Sequence, residues 1–282
     1  MILASIPSPS FNDFQIGPLS VHIYGILMGL AVATAYLVIV SRYERFGGER
    51  ALAERAAFWA VVIGFTGARL AYVSTHFHRY EDDLLGVLRL WEGGIALFGG
   101  LTAGAAAVLW VMYRGKGSFW AFADAGAIGL PAAQAIGRWG NYFNQELFGT
   151  PTDLPWGLEI DAAHRPAEYL ASETFHPAFL YESLYNVALI VFLLWLERRF
   201  EWRRGRLFAT YLVLYGLIRF LLELIRTDTT FRFLGLSRNG WVAIGAMLLG
   251  GAMWWWLRGP SGRGPETEVT EADPGTEGEP AA

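Results

Sequence analysis

There is no cysteine in this chain of 282 residues, which excludes disulfides, a thiolate metal site and a cysteine nucleophile of the protein's own. Any thiol chemistry must use a thiol brought by a substrate. Charge is scarce as well: 17% of residues are charged against 54% hydrophobic, and the net charge of −4 owes much to an acidic tail. No nucleic-acid partner, metal or cofactor is expected. The apolar stretches lack period-two alternation, which argues against a strand barrel. No internal repeat is visible, so the inverted-repeat signature of many transporters is missing too.

What is present is length and apolarity. A helix crossing a hydrocarbon core of ~30 Å needs about 20 apolar residues. Seven such runs can be read, at 19–40, 55–75, 94–113, 119–136, 178–196, 207–225 and 240–257. The expected fold is all-α, a polytopic membrane protein of seven transmembrane helices forming a domain over 1–258, with residues 137–177 as a small extracytoplasmic cap. From Gly259 to Ala282 the chain is rich in Gly, Pro and Glu without an aromatic residue, as in a disordered acidic cytoplasmic tail. No Lys or Arg precedes the first run, whereas Arg42, Arg45, Arg50 and Arg55 follow it; alternation then leaves thirteen basic residues inside and seven outside. The positive-inside rule therefore predicts the N-terminus outside and the C-terminus inside. Without a basic leader, the first run reads as a retained helix rather than a cleaved signal peptide.

Polar residues at membrane depth are costly and call for a reason. Gly137-Arg138-Trp139-Gly140-Asn141-Tyr142-Phe143-Asn144-Gln145-Glu146-Leu147-Phe148-Gly149 places a guanidinium, carboxamides and a carboxylate at the end of an apolar run. Arg219, Glu223 and Arg226 recur at i, i+4 and i+7 and are expected along one inward helical face, as an anion site or a structural network. In the predicted topology both clusters reach the outer side, where Tyr24 and the His176, Tyr181, Glu182 group also fall. Gly93-Gly94 and Gly99-Gly100 lie at the start of the third run, where missing side chains let a neighbouring helix or a ligand approach closely. Arg69, in the outer half of the second run, either lines the same cavity or snorkels to the interface.

These residues together resemble the signature of the phosphatidylglycerol:prolipoprotein diacylglyceryl transferase family. The Gly137–Gly149 run is joined, in the family's order, by His22-Ile23-Tyr24-Gly25, Gly67-Ala68-Arg69-Leu70, Trp91-Glu92-Gly93-Gly94, His176-Pro177-Ala178-Phe179-Leu180-Tyr181-Glu182 and Arg219-Phe220-Leu221-Leu222-Glu223 with Arg226. The resemblance implies transfer of a diacylglyceryl group from phosphatidylglycerol to the lipobox cysteine in a prolipoprotein signal peptide, giving a thioether and glycerol phosphate. It further implies an enzyme of the bacterial plasma membrane whose site faces the outer leaflet among membrane lipid. Arg138 and Arg219 then suit the departing phosphate. Asn141 acts beside them, and Glu146 and Glu223 orient the arginines or accept a proton. Substrate contacts are expected from Tyr24, Asn144, Gly149, Glu223, Arg226, Gly99, Gly100, His176, Tyr181 and Glu182.

One departure stands out. Many members resemble His-Gly-Gly where this chain has Phe98-Gly99-Gly100, and phenylalanine cannot take a proton. Either another group does so, with Glu146 ranked ahead of Glu223, His22, His76, His78 and His176, or the positive field of the arginines lowers the thiol's pKa. Two rival classes also use intramembrane arginines: an organic-anion transporter, which would continue its polar path to the inner side, and a noncatalytic phospholipid-binding protein.

Overall fold

The structure is a computed structural model that describes residues 5–89, 93–226 and 232–258. Trp91 and Glu92 of the fourth motif and the tail from Gly259 lie outside the described residues. Seven α-helices dominate: α1 Ile23–Arg45, α2 Arg50–Thr75, α3 Leu97–Arg114, α4 Phe119–Phe143, α5 Ala178–Arg199, α6 Arg206–Glu223 and α7 Arg238–Trp256. Of these, α1, α2, α3 and α5 are long and apolar enough to cross a membrane. The 18 residues of α6 include Arg206, Arg219 and Glu223, and α4 carries Asp124 and the polar signature in its last turns. Large apolar side chains such as Leu37, Phe58, Leu70, Trp110, Leu184 and Leu248 face outward all round the bundle. Such a surface is at home in lipid, and the fold is that of a helical membrane protein.

Several boundaries differ from expectation by a few residues, as where α1 runs on to Arg45 and α2 starts at Arg50, and two differences lie at the signature end. The first run begins not as helix but as a hairpin, β1 Asp13–Ile16 against β2 Leu19–His22. Its two-residue turn is Gly17-Pro18 with Gly17 at φ +59°, the first position of a primed turn, which only glycine adopts without strain. The fourth run does not stop at 136: α4 continues to Phe143, so Arg138 and Asn141 are helical rather than part of a loop. The cap is correspondingly shorter, from 144 to 177. It holds one small sheet, β3 Leu158–Glu159 with β4 Thr174–Phe175, over a core of Phe148, Leu158, Ile160, Phe175 and Phe179. The chain's start closes it, Ile6 bridging Leu158 and Ser5 bonding Glu159. A third hairpin, β5 Arg232–Phe233 with β6 Leu236–Ser237, leads into α7.

The helices pack chiefly as α2 on α3, α1 on α4, α4 on α5 and α6 on α7. Glycine explains the closest of these contacts. A Cβ on Gly99 would lie 2.3 Å from Ala71 Cβ and 2.7 Å from Gly67 O, and one on Gly100 would lie 3.2 Å from Gly64 O. Gly99 and Gly100, expected to contact substrate, are thus filled by the backbone of α2; they set an interhelical distance instead. Opposite the cap, Asp124 of α4 accepts from Gly205 N (2.7 Å) and Phe208 N (2.9 Å) and so caps α6. There Arg42 also pairs with Glu197 at 2.5 Å.

Candidate active site

At the cap end the last turns of α4 face the first turns of α5. Arg138 Nη2 lies 2.7 Å from Glu182 Oε2, with the glutamate buried and the arginine side chain 22% exposed. Arg138 Nη1 also donates to Asn141 Oδ1 (3.3 Å), and Asn141 Nδ2 donates to Glu146 Oε1 (2.8 Å). Asn144 Nδ2 reaches the same Glu146 oxygen at 3.4 Å. Asn141 is buried whereas Glu146 is exposed, so one relay runs from the half-buried Arg138, paired with the buried Glu182, to a carboxylate at the protein surface.

Two left-handed residues hold that carboxylate in place. Gln145 has φ +49° and Leu147 φ +57°, conformations costly for side chains of their size. The cap keeps them there. Gln145 Nε2 donates to Asp161 Oδ2 (2.6 Å) and Gln145 Oε1 accepts from Asp161 N (2.8 Å), while Glu146 N donates back to Asn141 O (3.0 Å). The hydrogen bond from Gln145, then that from Ser8, holds the Asp161 carboxyl below the ordinary aspartate range. The Gln145–Asp161 clip was not foreseen; a carboxamide and a carboxylate sixteen residues apart give no local sign that they will meet.

Arg226 arrives by a different route from the one its spacing suggests. Helix α6 ends at Glu223, so Arg226 is not the third member of a helical stripe. Instead Arg226 and Gly149 form an antiparallel bridge, with Thr150 N donating to Ile225 O (2.8 Å) and Gly149 N to His176 O (2.9 Å). Three chain segments meet at Gly149, where a Cβ would stand 2.7 Å from His176 Cβ and 3.0 Å from Ile225 O. This junction brings Arg226 Nη1 to 3.7 Å from Glu182 Oε1, so one buried carboxylate serves two arginines.

Arg219 forms a second centre. Its Nη2 lies 2.8 Å from Glu223 Oε2, both side chains being nearly buried, but its Nη1 is buried with no hydrogen-bond partner among the described residues. Glu223 Oε1 also accepts from Ser237 Oγ (2.6 Å) and Asn239 Nδ2 (3.5 Å). Ser237, which also caps α7 through Gly240 N, is a site residue that the sequence reading missed; Ser-x-x-Gly before an apolar run was its one available sign.

Tyr24 packs across Gly140, where a Cβ would meet its ring at 2.6 Å, and so stands one helix away from Arg138. His176 and Tyr181 are joined to each other, ring nitrogen to hydroxyl at 3.2 Å, and Tyr181 also accepts from Trp156 Nε1 (2.9 Å). Their side chains build the cap's seam rather than the arginine cluster. Phe98 is 45% exposed on the first turn of α3, beside the glycines that pack on α2.

The fold and this site define a class: a helical membrane protein with a cluster of guanidinium and carboxamide donors at one end of the bundle, suited to a phosphate ester held at the lipid surface. The chain matches the family described as prolipoprotein diacylglyceryl transferase over residues 12–256. It is 42% identical to phosphatidylglycerol–prolipoprotein diacylglyceryl transferase 2 of Streptomyces coelicolor, over 86% of this chain and 78% of that protein. It is 45% identical to the corresponding transferase of Cutibacterium acnes, over 79% and 77%. The chain belongs to the prolipoprotein diacylglyceryl transferase family, and is a transferase of lipoprotein maturation.

Proposed function

We propose that this chain moves the diacylglyceryl group of phosphatidylglycerol onto the thiol of a lipobox cysteine in a secreted precursor, at the cap end of a seven-span bundle whose N-terminus and site face the outer leaflet. The observation that carries the reading is the convergence of Arg138 and Arg226 on Glu182, beside the Asn141–Glu146 relay. Alternation of the seven helices, with the basic residues concentrated opposite the cap, supports the orientation.

The chemistry then balances. The cysteine S–H loses its proton, the sulfur attacks the glycerol carbon that carries the phosphate, the carbon–oxygen bond breaks, and its electron pair leaves on the phosphate of glycerol phosphate. Negative charge grows on that phosphate as the bond breaks, so donors fixed beforehand contribute most at the transition state. Arg138 and Arg219 supply them. The carboxylates now holding the arginines orient the forks before the phosphate arrives, and the bare Nη1 of Arg219 is a donor awaiting an acceptor. With phenylalanine at position 98, Glu146 is the base for the thiol proton, exposed yet anchored by two asparagines. Tyr24 and Asn144 flank the headgroup.

The test is incubation of purified protein with phosphatidylglycerol and a lipobox peptide, following peptide mass and released glycerol phosphate, beside Arg138→Ala. A diacylglyceryl mass gain that the variant loses supports both the reaction and the phosphate role. Lipid binding or exchange without covalent product, by a folded protein, overturns the transferase reading.

A further inference from the structure

Arg69 of α2 is buried, 5% exposed, and does not snorkel or join the arginine cluster. Its five N–H groups all go to main-chain carbonyls of one segment. Nε donates to Val87 O (2.8 Å), Nη1 to Gly93 O (2.5 Å) and Gly94 O (2.9 Å), and Nη2 to Gly86 O (2.8 Å) and Arg89 O (3.2 Å). The guanidinium has five donors, and all are used. Gly93 and Gly94, at φ +80° and +78°, wrap the chain round it; a Cβ on Gly94 would stand 2.8 Å from Nη1.

Those carbonyls belong to the connection from α2 to α3, whose regular structure among the described residues is two short 3-10 turns, Phe77–Arg79 and Leu84–Leu88. Irregular backbone is expelled from hydrocarbon because its polar groups go unpaired there. Among the described residues, much of that pairing is made within the protein. Besides the five carbonyls, Gly86 N donates to Asp83 O, Arg89 N to Gly86 O, and Ala96 N to Ala68 O on α2. Meanwhile the side chains turned away from Arg69 are bare and apolar: Leu84, Leu85 and Leu88 are 63%, 71% and 70% exposed, followed by Ile95 and Leu97. The helices that this connection joins are exposed and apolar as well, at Leu70 on α2 and Leu101 on α3. The charges beside the leucines sit at one edge of the patch, where Asp83 pairs with Arg89 at 2.8 Å beside Glu81 and Asp82.

We propose that the Leu84–Leu88 part of the α2–α3 connection is seated in the membrane, its Leu84, Leu85 and Leu88 side chains lying in the acyl region of the cap-side leaflet, and that Arg69 is the residue that lets this backbone sit there. The occupant of the patch is lipid. The exposed apolar faces of the two helices that flank it argue for this, and so does a device that satisfies carbonyls from within the protein instead of from water.

The absence of cysteine makes the test clean, since a single introduced thiol is the only one to label. Leu85→Cys and Asp82→Cys, each carrying a nitroxide, are reconstituted in phosphatidylglycerol-containing nanodiscs and probed for collision with oxygen, which partitions into lipid, and with a water-soluble nickel chelate. At 85 the oxygen collision rate is expected to exceed the nickel rate several-fold, and at 82 the order is reversed. Equal nickel access at the two positions overturns the proposal. So does protection of 85 that requires added lipobox peptide, which makes the patch a peptide dock, or spin–spin broadening there, which makes it a contact between copies. Adding Arg69→Gln should raise nickel access at 85, while a label at Leu184→Cys on α5 stays in lipid and reports an intact bundle. An unchanged position 85 in that background overturns Arg69's part.

Discussion

Two arginine sites in this bundle, Arg69 of α2 and the cluster on α4 and α6, use the same side chain for opposite purposes. Arg69 spends all five donors on carbonyls of its own chain, and nothing remains to offer a ligand. In the α4–α6 site the arginines face carboxylates, Arg138 with Glu182 and Arg219 with Glu223, and Arg219 Nη1, although buried, has no partner among the described residues. Carbonyl pairing is permanent, because breaking it strands backbone groups. A carboxylate pairing is an electrostatic preset that an incoming phosphate can share or replace. Bareness alone does not mark a ligand site: Arg42 and Arg206 also leave an Nε unpartnered, but their guanidiniums lie against Phe46 and against Trp202 and Trp254, opposite the cap. What distinguishes Arg219 is that its spare donor is a terminal nitrogen, Nη1, on a guanidinium at the end of the bundle that carries Arg226 and Glu182.

The comparison breaks most readily at Glu182, the carboxylate two guanidinium groups share. Glu182→Gln leaves buried positive charge uncompensated, which costs about 3–5 kcal/mol. A large fall in thermal midpoint together with loss of lipidation is expected; a stable, active variant would show that the arginines do not depend on it. Arg219→Lys keeps the charge but loses the planar fork, and kcat should fall about 10²–10³-fold with the fold intact, as for a lost transition-state donor. Full activity there would remove Arg219 from the phosphate site. On the structural side, Gly99→Ala puts a methyl 2.3 Å from Ala71 Cβ. Overpacking of that kind costs about 1–3 kcal/mol, so the unfolding midpoint should drop while activity per folded molecule holds. If activity fell first, the glycine would belong to the site after all.

The smallest effect concerns the Gln145–Asp161 clip. The Asp161 pKa is lowered in the folded state, chiefly by Gln145. Its stabilising contribution is therefore full above the unfolded value, about 3.9, and lost as pH falls through the lower folded value. Hydrogen exchange at the cap should be unaffected by Asp161 protonation between pH 5 and 8. Asp161→Asn should raise exchange slightly across that range; an effect in the native protein that grows from pH 8 to 5 would assign the clip to another group.

Much of the candidate site was legible because rare polar residues stand in apolar surroundings. Arg138, Asn141, Glu146, Glu182 and Glu223 were singled out that way; the structure joins the first four in one cluster and pairs Glu223 with Arg219. Gly99 and Gly100 carried two readings because a glycine that admits a ligand and one that admits a helix look alike in one dimension; in the structure the space beside both is taken by α2. Arg226 was put on a helix by its spacing, though α6 stops at Glu223 and a bridge to Gly149 carries it instead. Arg69 offered two readings, and the structure supplied a third. Its partners are carbonyls, which every residue has, so no side-chain pattern could announce them.

Sequence by itself determined the apolar helices, the asymmetry of basic charge, the need for an external thiol and the inventory of phosphate-binding groups, because each follows from composition and local period. Only tertiary structure decided which carboxylate holds which arginine, how the cap keeps Gln145 and Leu147 in left-handed conformations, and which guanidinium has a donor to spare. Those outcomes depend on groups distant in the chain meeting in an interior without water, where every donor must find an acceptor or wait for one.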